Sequence, residues 1–240
     1  MRALILAAGE GSRLRPLTEH VPKPMLEIAG RPILEHNVRL LARYGIRDIV
    51  INLHHHPEAV IDHFRDGAQF GVAISYSYEP ELLGTAGALN PIRSSLTKTF
   101  LVLYGDNLST CDLGKLLEVH DRSEAVATIA LFEREDVTAS GIVGIDDDDR
   151  ITRFLEKPRA EEVFSHWVNA GILALEPDAL DAIPRDGFSD FGRDVLPDLL
   201  ASHRKVGGYR MTEELWWIDS LPDYERTRSS VDASVLERTW

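Results

Sequence analysis

The chain has 240 residues, of which 44% are hydrophobic and 27% charged, a balance typical of a soluble globular protein. Its formal net charge of −13 argues against the broad basic surface that nucleic-acid binding requires, and no apolar run reaches the ~18 residues of a membrane span. No signal peptide is expected, and Cys111 is the only cysteine, which excludes an intrachain disulfide and fits a cytoplasmic location. We therefore expect neither nucleic acid nor a membrane as a partner.

Apolar, β-branched runs alternate with helix-like stretches along the chain. The predicted strands are residues 3–8, 49–53, 73–78, 100–104, 125–131 and 168–175. The predicted helices are residues 32–44, 57–64, 85–92, 113–121 and 193–203. This alternation predicts an α/β fold in one domain, with a mostly parallel mixed sheet and helices on both faces. In such sheets ligands bind at the carboxyl ends of strands, and the loop after the first strand is one such place.

The segment "LAAGEGSRLRP", residues 6–16, places two glycines and two arginines directly after the first predicted strand. Glycines let backbone amides approach a ligand closely, and arginines bind phosphate in a bidentate fork. A P-loop is excluded because no Lys-Ser or Lys-Thr follows Gly11. A dinucleotide fingerprint is excluded because Leu14 occupies the place of its third glycine. The loop therefore predicts a polyphosphate site of another kind.

Lys23 follows on the same loop, between Pro22 and Pro24. Each proline fixes its own φ and biases the residue before it toward extended conformations, so the lysine lies on a stiff segment. Taken alone, Lys23 also fits a solvated lysine in a surface turn. The presence of Arg13 on the same loop favours the phosphate-binding interpretation.

The opening segment resembles a known family, the sugar-1-phosphate nucleotidyltransferases, whose signature is L-A-x-G-x-G-[ST]-R-L-x-P-L-T followed by P-K-P-[ML]. Residues 6–26 match this signature at nearly every position. Five later segments resemble the family's other motifs in the same order: "EPELLGTAGAL" (79–89), "LYGDN" (103–107), "FLEKP" (154–158), "VNAGI" (168–172) and "WWID" (216–219). The resemblance therefore extends over most of the chain.

The resemblance implies a single domain, residues 1–240, of the Rossmann-like (GT-A-like) nucleotidyltransferase fold. Its nucleotide-binding half is expected at about 1–110 and its sugar-phosphate-binding half at about 111–240. In the implied reaction, a sugar 1-phosphate oxygen attacks the α-phosphorus of a nucleoside triphosphate and pyrophosphate leaves. The second pKa of a phosphate monoester is about 6, so the nucleophile is already ionised at neutral pH and needs no general base. Catalysis then depends on positioning and on neutralising phosphoryl charge.

Each motif has an implied role. The implied catalytic residues are Arg13, Lys23 and Asp106. The implied nucleotide-binding residues are Ala7, Ala8, Gly9, Glu10, Gly11, Ser12, Arg13, Glu79, Gly84 and Thr85. The implied sugar-phosphate-binding residues are Lys23, Asn107, Glu156, Lys157, Asn169 and Gly171. Asp106 and Asp219 are implied to hold Mg²⁺, because two carboxylates plus substrate phosphates are how proteins usually bind that ion.

Some of these residues have other interpretations. Asp106 also fits a turn-forming aspartate, and the segment 156–158 also fits an exposed polar strand end. The run His54–His56 does not favour a metal site, because adjacent side chains at a strand end diverge. Residues 146–149, four aspartates between two strand-like segments, predict a solvated turn. The tryptophans expected to pack rather than stack on a ligand are Trp216, Trp217 and Trp240.

The segment 79–89 most resembles the version found in guanylyltransferases for mannose and heptose 1-phosphates, which implies GTP as the nucleotide. Uridylyl-, thymidylyl- and cytidylyltransferases of the same fold stay open. A non-catalytic relative that binds a nucleotide sugar for regulation is a further alternative. Such a relative is expected to lose some of Arg13, Lys23, Asp106 and Asp219, and all four are present.

The C-terminal part departs from the family pattern. The family's W-x-D-[IV]-G-T-P-x-D-Y is here "WIDSLPDYE", about two residues shorter after Asp219, so the following loop must turn differently. Many family members carry a C-terminal left-handed β-helix, and none is expected here. Any oligomer would then form through the catalytic domain.

Overall fold

The computed structural model describes residues 1–232 and 235–236, so Trp240 lies outside the described residues. Within that part of the chain, no helix combines the length and the apolar character needed to cross a membrane. The chain divides into two compact units. The first unit contains Met1–Leu82, Leu103–Cys111 and the described residues from Glu213 onward, and the second contains Leu83–Val102 and Asp112–Thr212. The two predicted functional halves stay a prediction, because compactness does not report which substrate binds where.

The strands are β1 (Arg2–Leu6), β2 (Glu27–Ile28), β3 (Arg31–Pro32), β4 (Asp48–Leu53), β5 (Ala73–Tyr78), β6 (Phe100–Tyr104), β7 (Leu108–Ser109), β8 (Ala127–Glu133), β9 (Gly141–Ile145), β10 (Ile151–Glu156), β11 (Trp167–Leu175), β12 (Val206–Arg210) and β13 (Leu215–Trp216). The α-helices are α1 (Ile33–Arg43), α2 (Pro57–Phe64), α3 (Gly84–Gly87), α4 (Leu113–Ser123), α5 (Leu196–Ala201) and α6 (Leu221–Ser230). This α/β content and the mixed strand pairing confirm the predicted fold class.

In the first unit, β4 lies between β1 and β5 and pairs with both in parallel. Parallel neighbours need a crossover connection, and α1 and α2 provide the two crossovers here. The middle of β1 is fully buried, as expected for a strand covered on both faces. The carboxyl ends of these three strands therefore lie along one edge of the sheet, where the predicted phosphate loop begins.

In the second unit, the strands pair mostly antiparallel: β11 with β8 and β9, and β9 with β10. Strand β12 runs parallel to its neighbour β8. No α-helix lies in the connections from β8 to β11, and antiparallel neighbours do not need a helical crossover. The acidic run joins β9 to β10, and Asp146 Oδ1 accepts hydrogen bonds from the amides of Asp148 and Arg150, which confirms the predicted turn.

Three local predictions need correction. The predicted helix 85–92 is instead the single turn α3 followed by a 3₁₀ turn, Asn90–Ser95, because Gly87 and Pro91 interrupt a continuous helix. The predicted helix 193–203 begins earlier, as a π-helical turn at Phe191–Val195 that continues into α5. Strand β12 and helix α6 were not predicted; the paired glycines of β12 give it little β-propensity.

Candidate functional site

A hydrophobic cluster in the first unit supports the predicted phosphate loop. Its buried members are Leu14, Leu26, Ile28, Ile33, Leu108, Ile218, Tyr224, Val231 and Leu236. Trp216 packs against the same cluster, as predicted for it. Through Leu14 and Leu26 the cluster joins the loop to β7 and α6, and the Tyr224 hydroxyl donates a hydrogen bond to the Glu27 carbonyl at 3.1 Å. The backbone that carries the charged side chains of the loop is therefore held by hydrophobic packing.

Gly11 allows the loop to fold closely over Lys23. Its φ is +62°, and a Cβ there would lie 2.8 Å from the Cβ of Lys23, closer than two carbons can approach. The Thr18 hydroxyl donates to the Gly11 carbonyl at 2.8 Å and holds this turn. Lys23 opens the 3₁₀ turn Lys23–Met25 and is buried, with 6% of its surface exposed. It is therefore not the solvated lysine of a surface turn.

The pairing of β7 with β13 brings two distant aspartates together. Leu108 lies opposite Trp216 in this antiparallel pair, so Asp106, two residues before β7 begins, comes next to Asp219. Helix α6 begins two residues after Asp219, where the Ser220 hydroxyl accepts a hydrogen bond from the Asp223 amide and caps the helix. The shortened segment after Asp219 is thus accommodated by immediate helix formation, and Asp219 stays beside Asp106.

Two cations and two carboxylates form one ion-pair cluster in the first unit. The Lys23 ammonium lies 2.6 Å from Asp106 Oδ2 and 3.2 Å from Asp219 Oδ1. Arg13 Nη2 lies 3.2 Å from the same Asp219 oxygen. Burial alone would lower the pKa of Lys23, but the charges and hydrogen bonds of the two carboxylates outweigh it and raise that pKa. Lys23 is therefore protonated at neutral pH, and the cluster has no net charge.

The two aspartates fit a divalent cation only in part. Their side chains are 36% and 31% exposed, so a ligand can reach their oxygens from solvent. The part of the chain that the structure describes contains no group of three or more His, Cys, Asp or Glu side chains placed to hold a metal. Asp106 and Asp219 would thus need oxygen ligands from substrate phosphates and water, which is the usual coordination of Mg²⁺.

A buried amide joins the ends of β1, β4 and β5. Asn52 Oδ1 accepts a hydrogen bond from the Ala7 amide at 2.6 Å, and Asn52 Nδ2 donates to Glu79 Oε1 at 2.8 Å. Glu79 is 1% exposed, so this predicted nucleotide-binding carboxylate is part of the protein interior. By contrast, Gly9 and Glu10 are exposed. Sequence reasoning missed Asn52; the only signal was a polar residue near the end of a buried strand.

The histidine run has structural partners in the same unit. His54 Nδ1 donates to the Glu79 carbonyl at 2.7 Å, and His56 Nε2 donates to the Glu19 carbonyl at 2.9 Å. These bonds attach the segment that follows β4 both to the residue after β5 and to the predicted phosphate loop.

Asn107 is also held by a hydrogen bond, since Asn37 Nδ2 on α1 donates to its carbonyl at 3.1 Å.

The second unit holds the other predicted residues. Glu156 ends β10, and burial first, then the negative charge of Asp190, raises the pKa of its carboxyl. Asn169 on β11 accepts a hydrogen bond from the Gly171 amide through Oδ1 at 2.9 Å, leaving its amide nitrogen for other partners. Lys157, directly after β10, is exposed and has φ +49°.

Thr85 and Gly84 lie in the short turn α3 of the second unit. The Thr85 hydroxyl donates to Asp190 Oδ2 at 2.8 Å. Asp190 is a second residue that sequence reasoning missed, although an aspartate directly before a helical turn is a recognised capping signal. The structure thus brings Arg13, Lys23, Asp106 and Asp219 into direct contact in the first unit. Thr85 and Glu156 have no direct bond among the described contacts, and Asp190 lies near both.

Comparison with known proteins shows the family to which the chain belongs. The nucleotidyl transferase family model matches residues 2–220. A UTP–glucose-1-phosphate uridylyltransferase from Synechocystis is 38% identical over 240 residues, covering 93% of this chain and 61% of that protein. A mannose-1-phosphate guanylyltransferase from Mycobacterium tuberculosis is 36% identical over 232 residues, covering 96% of this chain and 64% of that protein. The chain thus spans about three fifths of the length of these relatives.

A solved structure gives the same result for the fold. HddC from Yersinia pseudotuberculosis, complexed with GMP-PN, superposes with a TM-score of 0.79 at 25% sequence identity. The superposition covers 95% of this chain and 98% of that one.

Proposed function

Because the chain belongs to the nucleotidyl transferase family, we propose that it transfers a nucleoside monophosphate from a nucleoside triphosphate to a sugar 1-phosphate and releases pyrophosphate. The ion-pair cluster of Arg13, Lys23, Asp106 and Asp219 carries this proposal. A protein that only binds a nucleotide sugar has no need for a buried lysine between two carboxylates at the end of a glycine-rich phosphate loop. Activity is therefore the better-supported alternative.

In this proposal, Arg13 changes partner when the triphosphate binds, whereas Lys23 stays in place. Arg13 is 67% exposed and held by one contact, so its guanidinium can turn to phosphate oxygens at little cost. Lys23 is held rigidly and brings its charge to the phosphoryl group without reorganisation. Asp106 and Asp219 would hold the Mg²⁺, which when bound supplies further neutralisation of phosphate charge. The sugar phosphate is its own nucleophile, so no residue of the chain needs to remove a proton.

In this proposal, polar residues of the second unit contact the sugar 1-phosphate. Glu156 would accept hydrogen bonds from sugar hydroxyls, Asn169 can both donate and accept, and Lys157 would reach the sugar phosphate. Gly171 and Asn107 complete this predicted set. A cytoplasmic location is part of the proposal, since a chain with a single cysteine cannot form an intrachain disulfide.

We propose GTP as the preferred nucleotide and a mannose-type sugar as the acceptor. The guanylyltransferase from M. tuberculosis and the GMP-PN complex of HddC support guanine. The Synechocystis uridylyltransferase supports UTP and glucose 1-phosphate as the second candidates. A site that satisfies the donors of guanine leaves acceptors unpaired when a pyrimidine enters, which costs ~1–3 kcal/mol per group.

A pyrophosphate-release assay tests the proposal. GTP, UTP, dTTP and CTP are each paired with mannose 1-phosphate and glucose 1-phosphate in the presence of Mg²⁺. We expect kcat/KM for GTP to exceed that for UTP by roughly 10- to 100-fold, in line with one or two unpaired groups. Arg13→Ala and Lys23→Ala should each lower kcat by roughly 10² or more.

Three outcomes correct the proposal in different ways. Higher kcat/KM with UTP or dTTP contradicts the guanine assignment and leaves the reaction type intact. Wild-type turnover in Arg13→Ala or Lys23→Ala contradicts the assigned chemistry. Tight binding of a nucleotide sugar without pyrophosphate release from any pair supports the non-catalytic alternative.

A further inference from the structure

Asp190 forms a hydrogen-bonded link between two segments of the second unit that are about 105 positions apart. Its Oδ2 accepts from the Thr85 hydroxyl at 2.8 Å, and that hydroxyl in turn accepts from the Phe191 amide at 2.9 Å. Its Oδ1 accepts from the amides of Gly192 and Arg193 at 2.9 and 3.1 Å. One carboxylate therefore caps the turn Phe191–Val195 and fixes α3 through the side chain of Thr85.

The backbone strengthens the same link. The Ser189 carbonyl accepts from the amides of both Ala86 and Gly87 at 3.0 Å, and the Ser189 amide donates to the Leu83 carbonyl at 2.9 Å. Gly84 has φ +80°, and a Cβ there would lie 2.4 Å from the Ser189 carbonyl oxygen, so the two backbones are in close contact. The segment before the Asp190 turn thus cannot shift without moving α3.

The turn that Asp190 caps also forms the surface on which Glu156 rests. A Cβ at Gly192 would lie 2.5 Å from Glu156 Oε2 and 3.1 Å from its carboxyl carbon. The Glu156 carboxylate therefore lies directly against the Gly192 backbone, whose amide is bonded to Asp190. Three charged groups act on this carboxyl: Asp190 raises its pKa, while Lys157 and Arg193 lower it.

We infer that Asp190 is a positioning residue that holds the Thr85 turn and the Gly192 surface beneath Glu156 in one fixed arrangement. The inference rests on the proposed function, in which Glu156 contacts the sugar, and on the nucleotide contact that the family resemblance implies for Thr85. Under that function, Asp190 aligns the two substrates for in-line attack without contacting either of them. Small displacements of reacting groups cost large factors in rate, so loss of this link should lower kcat.

The first test uses three variants and one control. Asp190→Asn keeps an acceptor for the Gly192 amide but replaces the oxygen that accepts from Thr85 with a donor. Thr85→Val removes the hydroxyl, and Thr85→Ser keeps it. Asp198→Asn makes the same charge change at an exposed carboxylate on α5.

We expect kcat to fall about tenfold or more in Asp190→Asn and Thr85→Val, to fall less in Thr85→Ser than in Thr85→Val, and to stay within about twofold in Asp198→Asn. Unchanged kinetics in Asp190→Asn overturns the inference. An equal loss in Thr85→Ser and Thr85→Val also overturns it, because the hydroxyl would then not be the link.

The second test does not depend on turnover. The Glu156 carboxyl is titrated by ¹³C NMR in glutamate-labelled protein, with its signal assigned from Glu156→Gln. Removing the neighbouring negative charge in Asp190→Asn should lower the Glu156 pKa, whereas Asp198→Asn should leave the Glu156 pKa unchanged. An identical Glu156 titration in wild type and Asp190→Asn overturns the inference. A wild type that releases no pyrophosphate contradicts the proposed function instead, and the titration still decides whether Asp190 acts on Glu156.

Discussion

Replacing Lys23 with methionine should make the nucleotide-free protein bind divalent cations more tightly. The Lys23 ammonium contacts one oxygen of Asp106 and one of Asp219, the two carboxylates assigned to the metal. A divalent ion and the ammonium therefore compete for the same ligands. Methionine has a similar length and an apolar end, so Lys23→Met removes the competing charge while filling most of the same space.

The size of the effect follows from the contact distances. With its nitrogen 2.6 and 3.2 Å from the carboxylate oxygens, the ammonium would lie roughly 5 Å from a divalent ion bound to the same groups. Coulomb's law gives a repulsion of about 1.7 kcal/mol at that separation in a water-like dielectric, and several times more at an effective dielectric of about 20. The aspartates are about one third exposed and salt screens the pair, so the lower figure applies. We expect a gain in affinity of about tenfold.

The measurement is a titration of free Mn²⁺ by electron paramagnetic resonance at pH 7.5, without nucleotide. Lys98→Met is the matched control, because it removes the same charge from an exposed lysine in the other unit. Asp219→Asn should weaken Mn²⁺ binding and shows whether the ion occupies the assigned place. Equal or weaker Mn²⁺ binding in Lys23→Met than in wild type refutes the reasoning, as does an equal gain in Lys98→Met.

Two further predictions concern metal-dependent turnover and stability. Asp106→Asn and Asp219→Asn should each abolish Mg²⁺-dependent pyrophosphate release, since an amide oxygen lacks the charge that holds a hard cation. Full activity in Asp219→Asn, with loss in Asp106→Asn, would show that Asp219 is not a metal ligand. Burial raises the pKa of Glu35 on α1, but hydrogen bonds from Arg39 and a neighbouring histidine outweigh it and leave the pKa below its ordinary value. Glu35→Gln should therefore lower the free energy of unfolding at pH 7 by ~1–3 kcal/mol, and the loss should fade as the pH falls through the folded pKa of Glu35. Urea denaturation at several pH values, with exposed Glu58→Gln as control, measures this; a loss that stays constant from pH 7 to pH 3 would contradict it.

The sequence by itself determined the α/β class and the family, and it located the predicted phosphate loop. Strand β5 and helix α2 have the predicted bounds, because a short run with isoleucine and two tyrosines favours a strand and a proline at the first helical position marks a helix start, and both are local signals. The glycines, prolines and cations of residues 6–26 are also local signals, and phosphate binding by this loop stays a prediction. Motif order then implied the family, which the match over residues 2–220 confirms.

Only the tertiary structure decided which charges meet. Asp106 and Asp219 are more than a hundred positions apart, and the β7–β13 register brings both to one lysine. Long-range pairing likewise decides three other features: the burial of Lys23, the position of Asn52 between three strands, and the link from Asp190 to α3. Local sequence patterns indicate where a strand or turn forms, but they do not indicate which distant strand lies beside it. Pairing partners and register are set by the packing of the whole hydrophobic core, and the geometry of the charged site follows from that packing.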